Sequence, residues 1–282
     1  MTTRRCSLTR SQKVELFKSY HPFVINRVKT FTEKDCNKIQ KTIYELEKLW
    51  INRSQERRYS FENQIHITRA PFWTLGAVSY LDHVASPSRY NKHRDYLNPV
   101  LIKKFGWIYD IIIEKLQGEL DAPVVLDGFL SYPGFHIFAA KTKGVILKEY
   151  TKLFEKSLGS VHVDVQYEEH HEYWQTFNDV TFKDEDIMSF TIPIDLPSSG
   201  GGLYTWADEV NPYSFNYTTT ENKLTELKNE KVPNLYNRGE MVYFVGHLLH
   251  QMMPGVNVQP TDKRITVQGH GQKCDGVWRL YW

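Results

Sequence analysis

The sequence predicts a mostly β protein, a two-sheet barrel or jelly roll backed by helices. Two amphipathic helical repeats lie in the first 120 residues, and from Pro123 onward the chain turns to short apolar runs broken by Gly, Pro, Asn and Asp. Helices first and strands later argue against alternating βαβ units.

The elements follow in order. Thr32 reads as a helix N-cap, with Asp35 at the third helical position and Phe31 placed to pack on the first turn. From Cys36 the apolar residues Ile39, Ile43, Leu46, Leu49 and Trp50 recur at three- and four-residue spacing, which makes one buried stripe. Leu101, Ile102, Phe105, Ile108, Ile112 and Leu116 repeat the pattern, with Gly118 near the end. These helices are expected to buttress a sheet. Predicted strands run over Val124 to Leu130, Phe135 to Ala140, Ser160 to Gln166, Ser189 to Ile194, Leu203 to Trp206, Met241 to Val245 and Arg264 to Gln268. Two long polar insertions, Glu168 to Glu185 and Asn211 to Arg238, read as binding loops or lids. The expected organisation is a single domain over 1–282, with 1–120 mainly helical support and 121–282 the β core.

With 282 residues, 41% apolar and 14% aromatic, the chain can bury a sizeable core. Its 35 Lys and Arg against 33 Asp and Glu are scattered, which speaks against a nucleic-acid partner. Cys6, Cys36 and Cys274 are widely spaced and form no CxxC pair, so free thiols in a reducing compartment are expected. Arg4 and Arg5 lack a following apolar segment, and Met241 to Met253 is too short and too polar to span a membrane. A cytoplasmic protein with no membrane partner is the expectation.

Chemistry concentrates in the β region. His162 and Asp164 flank Val163, and strand residues two apart share a face, so an imidazole and a carboxylate can meet one metal. A lone HxD is also compatible with a hydrogen-bonded strand His beside a surface Asp. The strand-like run from Glu240 to Val245 leads to His250 and then Arg264. Two imidazoles and a carboxylate on one face of an iron leave open coordination positions.

Four ordered pieces resemble the Fe(II)- and 2-oxoglutarate-dependent oxygenases. They are Val161-His162-Val163-Asp164; Ser189 to Ile194 leading to Gly200-Gly201-Gly202-Leu203; Gly239 to Phe244 through His250 and Pro254; and Arg264-Ile265-Thr266. The resemblance covers about half the chain. It implies a double-stranded β-helix core, and His162, Asp164 and His250 as catalytic metal ligands for Fe(II). It implies that Arg264 pairs with the far carboxylate of 2-oxoglutarate, with Thr266 adding a hydroxyl on the same face; a planar guanidinium suits a carboxylate. With O₂, such an enzyme decarboxylates 2-oxoglutarate to succinate and oxidises a substrate C–H bond, with hydroxylation the default outcome. The chain also resembles tailoring hydroxylases of natural-product pathways, and a small-molecule substrate is expected.

Other features have more than one reading. Tyr132, with His136, is assigned to the cosubstrate pocket, though core or barrel-rim roles fit equally. Gly200 to Gly202 is better read as a tight turn than a phosphate cradle. His170 and His171 sit among Glu168, Glu169 and Glu172 and read as a solvated loop. Tyr167, Tyr173, Trp174 and Phe177 suit a planar or cationic substrate, or else a mobile surface loop. His247 competes with His250, and the resemblance, which implies a ligand His closing a Gly-x-x-x-His run before a Pro, points to His250 through Gly246 and Pro254. The rival functions are a non-catalytic jelly-roll binder, and the same iron chemistry on a protein or nucleic acid.

Overall fold

A computed structural model describes residues 25–53, 57–61, 64–68, 72–139, 161–208 and 227–282. Cys6, Arg4 and Arg5, and the part of the second insertion before residue 227, lie outside the described residues. Strand β1 (Asn26–Lys29) leads into helix α1 (Glu33–Glu45). The expected cap is present: the Asp35 amide donates to the Thr32 hydroxyl and the Thr32 amide to the Asp35 carboxylate. There follow β2 (Ile51–Asn52), β3 (Arg57–Phe61), β4 (Gln64–Thr68), β5 (Phe72–Leu75), a π-helical turn over Ser79–His83, and helix α2 (Pro87–Leu120). α2 starts well before the apolar repeat at Leu101 and carries Pro99 inside it, a residue that ordinarily ends a helix.

The β core comprises β6 (Val124–Leu126), β7 (Gly134–Ala139), β8 (Ile187–Asp195), β9 (Gly200–Trp206), β10 (Val232–Leu235), β11 (Glu240–Val245), β12 (Leu249–Gly255), β13 (Lys263–Cys274) and β14 (Val277–Tyr281). The large sheet runs β1-β11-β8-β13-β7-β5-β2, with β14 beside β13 and β6 parallel to β14. A small antiparallel sheet runs β10-β9-β12. Two antiparallel sheets backed by helices match the predicted class. Among the described residues before 121, helices α1 and α2 stand beside three short strands, β1, β2 and β5, which extend the large sheet on both edges.

Strand alternation decides what the large sheet offers to each side. Phe135, Ile137, Phe190, Ile192, Ile265 and Val267 face outward into a core with Ile39 and Ile43 of α1 and Leu101, Phe105, Ile108 and Ile112 of α2. The opposite parity on β13, namely Arg264, Thr266, Gln268 and His270, is left to the other face. Val242 and Phe244 of β11 pack there with Leu203 of β9 and Leu248, which ties the two sheets together.

Gly200 to Gly202 open β9 rather than standing as a turn before it. At Gly202 a Cβ would lie 2.3 Å from the Asn234 carbonyl oxygen, so only glycine lets β10 approach so closely. Among the described residues no helix is long and apolar enough to cross a membrane. Cys36 and Cys274 are buried free thiols, as expected.

Candidate metal centre

The HxD segment is not the predicted strand over Ser160 to Gln166. His162 forms an isolated antiparallel bridge to His250, with His162 N–H to His250 O at 3.0 Å and His250 N–H to His162 O at 2.9 Å. Residues 163–165 have no regular structure, and a 3₁₀ turn takes Gln166–His170. One pair of backbone hydrogen bonds therefore joins the two histidines directly, while β12 anchors His250 to β9 opposite Thr205.

His162, Asp164 and His250 bring one ligand atom each to within 4.8 Å of one another. The Asp164 Oδ1 lies 3.6 Å from His162 Nε2 and 3.8 Å from His250 Nε2. These gaps are too long for hydrogen bonds and fall within the span of two bonds of about 2.1 Å to one ion. His250 Nδ1 lies 2.8 Å from the Leu248 carbonyl oxygen, which can only accept, so Nδ1 carries the proton and Nε2 is left as a ligand. Burial alone would raise the Asp164 carboxyl, but His250, His270 and His162 with the Ser189 hydroxyl hold it well below the usual carboxylate range. The donor set fits an oxygen- and nitrogen-preferring divalent metal such as Fe(II).

His247, the competing histidine, is engaged elsewhere. Its Nδ1 meets Asp184 at 2.6 Å and its Nε2 meets the Tyr167 hydroxyl at 2.9 Å. It sits in the connection between β11 and β12, whereas His250 is on β12 itself.

Arg264 is 4% exposed, and its guanidinium donates to the Met253 carbonyl at 3.1 Å and the Gly202 carbonyl at 3.3 Å. Its Nε has no partner, no described carboxylate pairs with it, and the Tyr236 ring lies 5.5 Å away. Burial pulls the guanidinium below its ordinary value. Thr266, two residues on, is fully buried with its hydroxyl unpartnered. Two orphaned donors on one face of β13 fit a bound carboxylate, because burying unpaired polar groups is otherwise costly.

For Tyr132 the structure favours the core role, the alternative to the cosubstrate pocket. Its ring packs on Tyr109 of α2 at 6.0 Å and its amide donates to Asn98, so it belongs to the helix–sheet core. The residue precedes Pro133 and β7, where strand parity does not yet hold. His136, on β7, packs beside Trp282 at 4.9 Å and bonds the Tyr80 hydroxyl at 2.9 Å; burial, with Arg53 and Arg264 nearby, pushes it down to about 3. His170 is likewise buried, against His83 and Tyr90, rather than solvated as expected.

The described part of the first insertion is also packed. Trp174 is fully buried, Tyr167 stacks on Phe182 at 5.1 Å, Phe177 carries Arg279 at 4.5 Å, and Tyr173 donates to Asp127 at 2.8 Å. These aromatics hold the segment onto β14 through Tyr281, and Tyr167 also lines the space beside Asp164.

Three further residues stand beside the triad. Gln166 donates to Asp164 Oδ1 at 3.4 Å, and Ser189 Oγ meets His270 Nδ1 at 2.9 Å. Sequence reading gave them no role, although His270 shares the strand parity of Arg264 and Thr266.

No protein-family model matches the chain, and no curated protein matches it. Among solved structures, the chain is similar to an N-substituted L-amino acid dioxygenase from Burkholderia ambifaria at 11% identity, covering 71% of each chain, TM-score 0.44. It is also similar to a non-heme alpha ketoglutarate dependent carbocyclase, SnoK, of nogalamycin biosynthesis, at 12% identity, covering 98% of this chain and 97% of that one, TM-score 0.43. EctD from S. alaskensis aligns at 10% identity over 96% of this chain and 78% of its own, TM-score 0.39. At such scores these likenesses carry no weight for activity, and the centre is read from its own geometry.

Proposed function

We propose that the chain is a single-domain Fe(II)- and 2-oxoglutarate-dependent oxygenase that oxidises a small, natural-product-like molecule and releases succinate and CO₂. The observation that supports it most is the pairing of a His–Asp–His group with a buried arginine that has no acid partner. A non-catalytic metal-binding barrel has no use for an unpaired buried guanidinium, which costs stability until an anion meets it.

His162, Asp164 and His250 would hold the metal. With 2-oxoglutarate and O₂, that metal supplies a two-electron oxidation coupled to decarboxylation. The protein's own residues do the rest. Arg264 and Thr266 orient the far carboxylate of the cosubstrate, the His162–His250 backbone bridge fixes the spacing of the imidazoles, and Leu248 fixes the His250 tautomer.

Succinate formation tests this reading. Purified protein given Fe(II), ascorbate, 2-oxoglutarate and O₂ should release succinate, and a small-molecule substrate should raise the rate above the uncoupled background. Protein or nucleic-acid substrates stimulating release where small molecules do not would overturn the substrate class.

A further inference from the structure

The metal ligands have an apolar reverse side. Val161 and Val163, on either side of His162, are buried in one cluster with Leu249, the residue before His250, and Trp206 of β9. The two halves of this cluster are held differently. Leu249 stands opposite Trp206 in the β12–β9 ladder, so a strand pairing fixes it, and His250 beside it faces the other way. The HxD half has only the His162–His250 bridge, and residues 163–165 have no regular structure. Where His162 and Asp164 stand therefore depends on what Val161 and Val163 pack against.

Leu227 packs against this cluster from outside any helix or strand. Its place is set by its neighbours. Asp208, two residues past the end of β9, accepts from the Lys228 amide at 2.7 Å on one carboxylate oxygen and from the Asn229 amide at 3.1 Å on the other. Those amides lie 20 and 21 positions further along the chain. Asp208 is 8% exposed, and among the described residues no cation pairs with it, so the two amides are what answers its charge. A carboxylate that takes two successive main-chain N–H groups fixes the path of that backbone, and with it the side chain just before them.

We propose that Asp208 is a positioning residue for the metal centre: through the Lys228 and Asn229 amides it holds Leu227 against the cluster behind His162, and so keeps the His162–Asp164 segment at the spacing that the metal needs. This rests on the metal-centre part of the proposed function and on nothing about 2-oxoglutarate, O₂ or substrate. Asp262 supplies the contrast. It is equally buried and also accepts from two loop amides, those of Ser198 and Gln259, but it clamps the turn before β13, a strand that carries none of the three ligands.

The test titrates Co(II), which the same donor set accepts and whose visible bands report its coordination, into metal-free protein. Exchange of the His162 and His250 amides is followed by NMR in the metal-free state. Asp208→Ala should weaken Co(II) binding by about tenfold, shift the bands and speed His162 amide exchange, and Leu227→Ala, a milder change at a half-buried side chain, should do the same to a smaller degree. The double variant should be no worse than Asp208→Ala alone, because both changes break one line of contact. Asp262→Ala should leave affinity, bands and exchange as in the wild type. Unchanged Co(II) affinity or unchanged His162 exchange in both Asp208→Ala and Leu227→Ala, or an equal loss in Asp262→Ala, would overturn the proposal. Circular dichroism checks that each variant folds, and Leu227→Ala decides the matter if Asp208→Ala does not. A wild-type protein that binds no Co(II), while Asp208→Ala still speeds His162 exchange, would sink the metal centre and keep the positioning role. Tight Co(II) binding indifferent to Asp208 and Leu227 would do the opposite.

Discussion

Two buried arginines of this protein lead opposite lives. Arg53, beside β5, has a side chain 3% exposed and grips the fully buried Asp82 with two nitrogens at 2.6 Å each. Arg264, on β13, is as deeply buried and, among the described residues, meets two backbone carbonyls and the Tyr236 ring but no carboxylate. A guanidinium whose charge is answered within the chain is structural; one that is not answered is held for a ligand. Two histidines repeat the contrast, since His247 is held by Asp184 and Tyr167 while the Nε2 of His250 turns to the Asp164 group.

The histidines give the largest expected effect. His250→Ala should abolish Fe(II) retention and 2-oxoglutarate turnover, whereas His247→Ala, which touches Asp184 and Tyr167 rather than the metal group, should keep both within about tenfold. Metal content after gel filtration and succinate assays on both variants decide it. The reverse ranking would move the ligand role to His247.

Next comes Asp82→Ala, which strands a buried guanidinium and should destabilise the fold by about 3–5 kcal/mol in denaturant titration. Arg264→Met removes a charge that nothing answers and should cost less than about 1 kcal/mol, while weakening 2-oxoglutarate binding about tenfold to hundredfold. A severe stability loss in Arg264→Met would erase the distinction between the two arginines.

The smallest effect is a pH dependence. Burial would raise the Asp82 carboxyl, but Arg53, the Val78 amide and His93 hold it below its ordinary value. A depressed folded pKa contributes stability above the unfolded value of about 3.9 and loses it as pH falls through the folded one. Acid unfolding of the wild type should therefore show a contribution below about pH 4 that Asp82→Asn lacks. Parallel acid curves for the two proteins would deny Asp82 that role.

Much of this was legible because strand parity and short-range spacing are local. Arg264 and Thr266 share a face along a long strand, whereas the HxD pair meets through the single His162–His250 bridge, with no strand over residues 163–165. The two helices showed themselves through Cys36, Ile39 and Ile43, and through the repeat after Pro99. What was hidden depends on tertiary contacts. β1 and β5 have four residues each, too few for alternation to show, and they become strands by pairing with β11 and β7. Glu168 to Glu185 looked like a solvated lid because its charges are plain in the sequence, whereas the burial of Trp174 against Tyr281 involves residues far apart in the chain. Tyr132 stayed open between pocket and core for a related reason, since no parity rule reaches across Pro133. The contact of Ser189 with His270 joins two strands 81 residues apart, which only the assembled site brings together.

The central claim, that an unanswered arginine and a His–Asp–His group form one cosubstrate site, has a direct spectroscopic test. Fe(II) and 2-oxoglutarate are added anaerobically to the folded protein and to Arg264→Met, and the weak visible charge-transfer band of a chelated keto acid is titrated. The account predicts the band in the wild type, and in the variant the same band at about tenfold to hundredfold higher 2-oxoglutarate. A folded wild-type protein that binds Fe(II) but shows no band at saturating 2-oxoglutarate would contradict it.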